Sequence, residues 1–309
     1  MSTQTIPMNG HFWGSVNTWE CDENDHQNVR FYAHKVLQAL QSWALETTGR
    51  ADAVERVTRA IRQQHIRFLA EARAATPVRV DVGALAQTPT ALTLLAVMRH
   101  SATETPLAAF TSRLDWAILE DLFAETGYSS SVRDSASGEP PAFALPRGLI
   151  DDLPRPPSTL AAAIDAGYHV VGRGVIGITE CQQDGLLCPW AYIGRVSDGM
   201  PNLGLSLSTT AESEAREDGR FGGAALEYRL EIVEPLRQGD VFVHLSGVSA
   251  LAEKTQTLSH VVINARTGRP AMQAAAVGVS MDLVTRRAIP IPDARRERLR
   301  SMLLRLPAA

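Results

Sequence analysis

The chain has 309 residues, 45% hydrophobic and 21% charged, with a formal net charge of -4. This is an ordinary globular composition, long enough for two domains, and its mild acidity argues against nucleic acid as the main partner, because phosphate binding needs a basic face. Three cysteines, Cys21, Cys181 and Cys188, with no CxxC pair, suit neither a disulfide framework nor a zinc site. Residues 1–10 lack the basic and apolar regions of a signal peptide. No run of 18 apolar residues occurs. The expected location is the cytoplasm, with no membrane span.

A strand is expected around Phe12 to Glu20. Asp22, Asn24, His26 and Asn28 follow, one at every second position. On an extended segment alternate side chains point the same way. A carboxylate, an amide and an imidazole would then converge beside a helix N-terminus, whose open N–H groups favour negative charge. From Asn28 to about Thr47 the apolar positions Val29, Tyr32, Ala33, Val36, Leu37, Leu40, Trp43 and Ala44 keep helical spacing, and Gly49 is a stop. The structural alternative for Asp22 is to cap this helix, which Asp25 could do equally well. Four strands should follow: Ile66 to Arg73, Pro77 to Ala86, Ala91 to His100 and Leu107 to Trp116. The first half therefore reads as α+β.

The composition turns to linker chemistry between Glu125 and Pro157, with Ser129-Ser130-Ser131 and two Pro-rich runs. The expected organisation is an N-terminal unit over residues 1–125, a linker over 126–160 and a second unit over 161–309. In the second half Val170 to Thr179 and Leu187 to Val196 read as strands. Asp198 to Leu203 leads a shorter helix, and strands run from Ala224 to about Leu283. The halves resemble one another. Ile66–Glu71 parallels Leu226–Glu231, Val78–Val82 parallels Val241–Leu245, and His100–Pro106 parallels Asn264–Pro270. Aligning Asn202 with Asn28 puts Met200 at the His26 position and Val196 at the Asp22 position, so one working site per chain is expected. The Arg-rich segment Asp293 to Leu306, with Leu299, Met302, Leu303 and Leu306 on one face, fits a packed helix rather than one on an anionic membrane surface.

The run Asp22-x-Asn24-x-His26-x-Asn28, followed by Tyr32 and a long helix, resembles the hot-dog fold thioesterases. The likeness is greatest to double hot-dog acyl-carrier-protein thioesterases of the plant type and related bacterial acyl-CoA thioesterases, within the 4-hydroxybenzoyl-CoA thioesterase-like superfamily. Ile66-x-Phe68-x-x-Glu71 matches the family strand that carries a glutamate about 45 residues after the histidine. The resemblance implies a tandem hot-dog, each unit a curved antiparallel sheet wrapped around a central helix. It implies hydrolysis of an acyl-CoA or acyl-carrier-protein thioester in fatty acid metabolism. No metal or redox cofactor is implied, and a homodimer is plausible by analogy. In the plant enzymes the reacting motif lies in the C-terminal unit; here it lies in the N-terminal one.

Thioester hydrolysis needs a base to activate water and donors for the oxyanion. Glu71 is the expected base or nucleophile, its pKa raised by burial in an apolar strand. His26 would orient water or protonate the departing thiolate, Asp22 would hold its tautomer or share the base role, and Asn24 would position the carbonyl or the water. Main-chain N–H groups near Gln27 to Val29 would form the oxyanion hole, with Asn28 fixing the turn and Tyr32 packed beneath it. Arg30, Arg73 and Arg79 are nearby cations for the CoA phosphates. Glu231 is a vestige or an assistant. Two alternatives stand beside this reading. One is an acyl-thioester-binding module without turnover. The other is an enoyl-CoA hydratase of the same fold, disfavoured because its histidine follows the asparagine by three residues and His26 follows Asn24 by two.

Overall fold

The computed structural model describes residues 8–124, 139–207 and 221–306; the Ser129–Ser131 run lies outside them. The chain divides into two compact units, Met1–Pro146 with Gln182–Ile193, and Arg147–Cys181 with Gly194–Ala309.

The first unit is an antiparallel sheet with strand order β1-β3-β4-β5-β2. Its strands are β1 (Asn9–Ser15), β2 (Ile61–Phe68), β3 (Pro77–Gln87), β4 (Ala91–His100) and β5 (Pro106–Asp115). Helix α1 (Val29–Thr48) packs against β1, β3 and β4. Its buried face is the expected stripe, with Val36, Ala39 and Leu40 fully enclosed. Gly49 ends it at φ 67°, a left-handed conformation that a side chain would strain. Two helices escape the sequence reading: α2 (Ala53–Ala60) and α3 (Trp116–Ala124). They are clasped together by Arg56, which donates to Ile118 O and pairs with Asp121. Trp43, Phe123 and Trp116 stack behind α1, each neighbouring pair 5.8 Å apart.

The expected strand through Glu20 ends at Ser15, and Thr18–Glu20 is a 3-10 turn. The strand expected over Ile66 to Arg73 begins and ends five residues earlier. The Leu69 and Ala70 N–H groups both turn to Leu107 O, at 2.9 and 3.2 Å, and that double contact ends the ladder. Glu71 therefore sits exposed in a loop rather than enclosed in a strand.

The second unit repeats the plan, with strand order β7-β10-β9-β8-β6 and β11 against β10. Its strands are β6 (His169–Val175), β7 (Phe221–Ile232), β8 (Val241–Leu251), β9 (Thr255–Asn264), β10 (Pro270–Asp282) and β11 (Arg287–Ala288). After the short α4 (Leu160–Asp165), the long helix α5 spans Pro189–Leu207, of which residues 194–207 belong to this unit. It replaces both the strand expected over Leu187 to Val196 and the shorter helix expected from Asp198. Pro189 occupies the first helical position, where a missing N–H costs nothing. Gly199 reads as a breaker but serves contact: a Cβ there would lie 2.7 Å from His244 Nδ1. The C-terminal helix α6 (Asp293–Ser301) docks on its own unit, with Leu299 enclosed beside Val248 and Ile291.

Of the linker, Ala144 joins Leu95, Val97 and Ala109 in the first unit. In the second, buried Glu227 accepts the N–H groups of Arg147, Gly148 and Leu149 at 3.0, 2.8 and 3.3 Å.

Hydrogen bonds fix the repeat. Val233 and Glu234 N–H both donate to Ala271 O, as Leu69 and Ala70 do to Leu107 O. The loops at His100–Pro106 and Asn264–Pro270 correspond as expected, each closed by the same pair of main-chain bonds. The other two pairings are out of register. Ile66 matches Leu230, Val80 matches His244, and the counterpart of Glu71 is Pro235 rather than Glu231. Glu231 lies on β7 opposite Gln273, whose amide donates to it at 2.7 Å.

Candidate active site

The run from Asp22 to His26 is not extended. Cys21 pairs with Gln27 as an isolated bridge, Asp22 N–H donates to His26 O at 3.0 Å, and Asp25 closes the loop at φ 65°. A tight loop sets residues i and i+4 face to face, which alternation along a strand would not. Asp22 Oδ1 lies 3.2 Å from His26 Nδ1, the two side chains 16% and 14% exposed. Asn24, at the tip, donates its N–H to Asp22 Oδ1 at 3.0 Å. Alternation therefore does not decide against a hydratase histidine.

Burial alone would lower the His26 pKa. The Asp22 hydrogen bond and charge, with the Glu71 charge, outweigh it and raise the value. Nδ1 is committed to Asp22, so Nε2 is the ring atom left for a reactant. Cys21 beside them is a poor nucleophile: burial and the Asp25, Asp22 and Glu20 charges push its thiol up, against a smaller main-chain contribution.

Glu71 is held by its neighbours. Tyr32, enclosed on α1, donates its hydroxyl to Ala70 O at 3.5 Å and accepts the Ala72 N–H at 3.1 Å. Ala72 O takes the Gln27 N–H at 2.7 Å. The peptide groups on both sides of Glu71 are thus tied to the helix and the loop that carry Asp22 and His26. Tyr32 serves this anchorage; burial lifts its phenol far above the ordinary value, so it stays a protonated donor.

Of the N–H groups expected to hold an oxyanion, two are already used: Gln27 on Ala72 O and Asn28 on Glu20 O, the latter at 2.8 Å. The Val29 N–H, first in α1, has no acceptor among the described residues. Asn28 is the N-cap in place of Asp22 or Asp25, its Oδ1 accepting Arg30 N–H at 3.1 Å.

Sequence reasoning missed the floor of the site. Glu20 and Lys35 form a buried ion pair at 2.5 Å, Glu20 also accepts Asn17 N–H, and Lys35 lies over Phe12. Glu180 and Arg195 repeat the pair, with Arg195 over Phe242. Matching Thr18-Trp19-Glu20-Cys21 to Ile178-Thr179-Glu180-Cys181 would have revealed it. The same match corrects the second-unit alignment: Gln182 replaces Asp22, Leu186 replaces His26, and the Gln182 N–H to Leu186 O bond at 2.8 Å preserves the loop. Among the phosphate candidates, Arg79 is bound by Asp81 and Glu104 and stacked on Trp13. Arg73 is exposed and Arg30 half-buried. Among the described residues, no three His, Cys, Asp or Glu side chains gather to hold a metal ion, and no helix is long and apolar enough to cross a membrane.

No family model matches the sequence, and no curated protein matches it. Solved structures do match the fold. The 12:0-ACP thioesterase from Umbellularia californica is 12% identical, covering 89% of this chain and 94% of its own at a TM-score of 0.59. A putative oleoyl thioesterase from Lactobacillus plantarum is 14% identical over 90% and 98% of the two chains, TM-score 0.59. An acyl-ACP thioesterase from Bacteroides thetaiotaomicron is 9% identical over 88% and 97%, TM-score 0.58. The chain therefore has the double hot-dog fold, α+β, with a long helix on an antiparallel sheet twice over.

Proposed function

We propose that this chain hydrolyses an acyl thioester to a free acid and a thiol, with CoA as the carrier and acyl-carrier protein as the alternative. The observation that carries the reading is the Asp22–His26 pair at 3.2 Å, which feels the charge of Glu71 beside the open first N–H of α1. That the matched proteins of the same fold are described as thioesterases supports it. The modest net charge of -4 offers no strong attraction for an acidic carrier protein, which favours CoA.

Glu71 takes a proton from water, whose oxygen adds to the thioester carbonyl carbon. The oxyanion that forms faces the Val29 N–H at the positive end of α1. Asn24 orients the carbonyl or the water. Collapse breaks the C–S bond, and protonated His26, steadied by Asp22, gives its proton to the thiolate. Glu71 then returns its proton to solvent or to His26. Arg30 and Arg73 are the phosphate candidates. A cytoplasmic setting in fatty acid metabolism belongs to the same proposal, as does a homodimer by analogy alone. A panel of acyl-CoA and acyl-carrier-protein thioesters, read with a thiol reagent, tests it. Release from at least one is expected; ligand binding without release from any would make the chain an acyl-binding module.

A further inference from the structure

Gln27 stands between His26 and Asn28, and only its main chain is used by the loop. The residue is 2% exposed, and neither buried Oε1 nor Nε2 has a partner among the described residues. An enclosed amide without partners forfeits the hydrogen bonds it made in water, a cost that leucine in its place would not carry. The repeated loop has leucine there: Leu187, also enclosed. Gln64 on β2 points the same way. It donates to Ser112 Oγ at 3.0 Å, yet its buried Oε1 is unpartnered. Phe68, on the same face of β2 as Gln64, meets Tyr32 of α1 edge-on at 5.5 Å, so that face lies toward the helix. The counterparts of Gln64 and Ser112 in the second unit are Tyr228 and Ala276. At these positions the motif-bearing half keeps unmet hydrogen-bonding capacity, where the repeat has Leu187, Tyr228 and Ala276.

We propose that Gln27 reads the acyl group: its amide hydrogen-bonds a hydroxyl or keto oxygen close to the thioester, so the substrate class is an oxygenated acyl thioester rather than a plain alkyl one. This rests on the hydrolase reading above. Gln27 is the chain neighbour of His26, about 3.8 Å from it between Cα atoms, so its amide belongs to the same loop as the proposed acid. A hydroxyl satisfies both Oε1 and Nε2, and a keto oxygen satisfies Nε2. A plain chain leaves both buried and unpaired, the situation in which a site rejects the analogue most strongly.

The test measures thiol release from saturated, 3-hydroxy and 3-oxo acyl-CoAs of equal chain length. It compares wild type with Gln27→Leu, and with Gln27→Met should the leucine variant fail to fold. Wild type is expected to favour an oxygenated substrate at least tenfold in kcat/KM, and the substitution to reduce that ratio tenfold or more. A wild-type ratio near one, or a ratio that survives substitution, overturns the inference and leaves the amide to a buried water. The wild-type ratio decides alone if neither variant folds. Turnover of saturated chains without preference sinks this inference only; no release from any thioester sinks the hydrolase reading beneath it.

Discussion

Burial and two carboxylates pull the His26 ring in opposite directions, and the carboxylates win. Because the folded pKa is raised, the stabilisation from the Asp22–His26 contact is complete below the ordinary histidine value and is lost as pH rises through the folded one. Asp22→Asn removes the strongest opposing partner and leaves burial in place. The His26 midpoint, followed by NMR of its ring protons, should move to lower pH, and the alkaline limb of any hydrolase activity should move with it; an unchanged midpoint would contradict this electrostatic picture. Asp22, Asn24, His26 and Glu71 were legible in the sequence as residue types at a spacing. Their geometry was not, because Asp25 adopts a left-handed conformation and turns an apparent strand into a loop. Nor could spacing tell that the Gln27 and Asn28 N–H groups are spent on Ala72 and Glu20.

Each repeat fastens its loop to its long helix by an ion pair, Glu180–Arg195 partly exposed and Glu20–Lys35 buried. Removing one partner of such a pair strands a buried charge, at a cost of about 3–5 kcal/mol. Glu20→Ala should lose stability of that order in urea unfolding, and adding Lys35→Met should restore most of it. A loss below about 1 kcal/mol would mean that water already solvates Lys35. Helix α1 and strand β4 were readable because periodicity and breakers agree: Gly49 stops the one, and Thr88-Pro89 precedes the other. Strand β2 lies five residues before its expected span because its own pattern is polar at Gln63, Gln64 and His65, while apolar residues extend past its end. Helix α5 was hidden by Gly194, Gly199 and Pro201, residues that ordinarily break helices.

At the scale of the molecule, one architecture is used twice with different interiors. Where the first unit has Val80, Val82 and Ala96, the second has His244, Ser246 and His260, all enclosed, with Ser246 Oγ 3.1 Å from His244 Nε2 and 2.7 Å from His260 Nδ1. Burial, only partly offset by the Arg195 main chain, holds His244 down at about 3, and burial with the His244 charge holds His260 well below its usual value. Unfolded, both would titrate near ~6.5. Stability from their neutrality is therefore whole above that value and falls as pH drops below it, by up to about 1.4 kcal/mol per histidine per pH unit. The urea midpoint should drop between pH 7 and 5. The triple variant His244→Val, Ser246→Val, His260→Ala should flatten that drop; an unchanged slope would locate the acid sensitivity elsewhere. Duplication was legible because the His100 and Asn264 loops share their turn pattern, whereas its register was not, since the β1-to-α1 segment and the strands carry different offsets. The proposed hydrolysis requires His26 and Glu71 to act together on a thioester. The most direct measurement is the thiol release rate of wild type, His26→Ala and Glu71→Gln on the best substrate of the panel, each protein shown folded by its unfolding midpoint. Either substitution should lower kcat by at least about 100-fold with the fold intact; a folded Glu71→Gln variant as active as wild type would overturn the proposed mechanism.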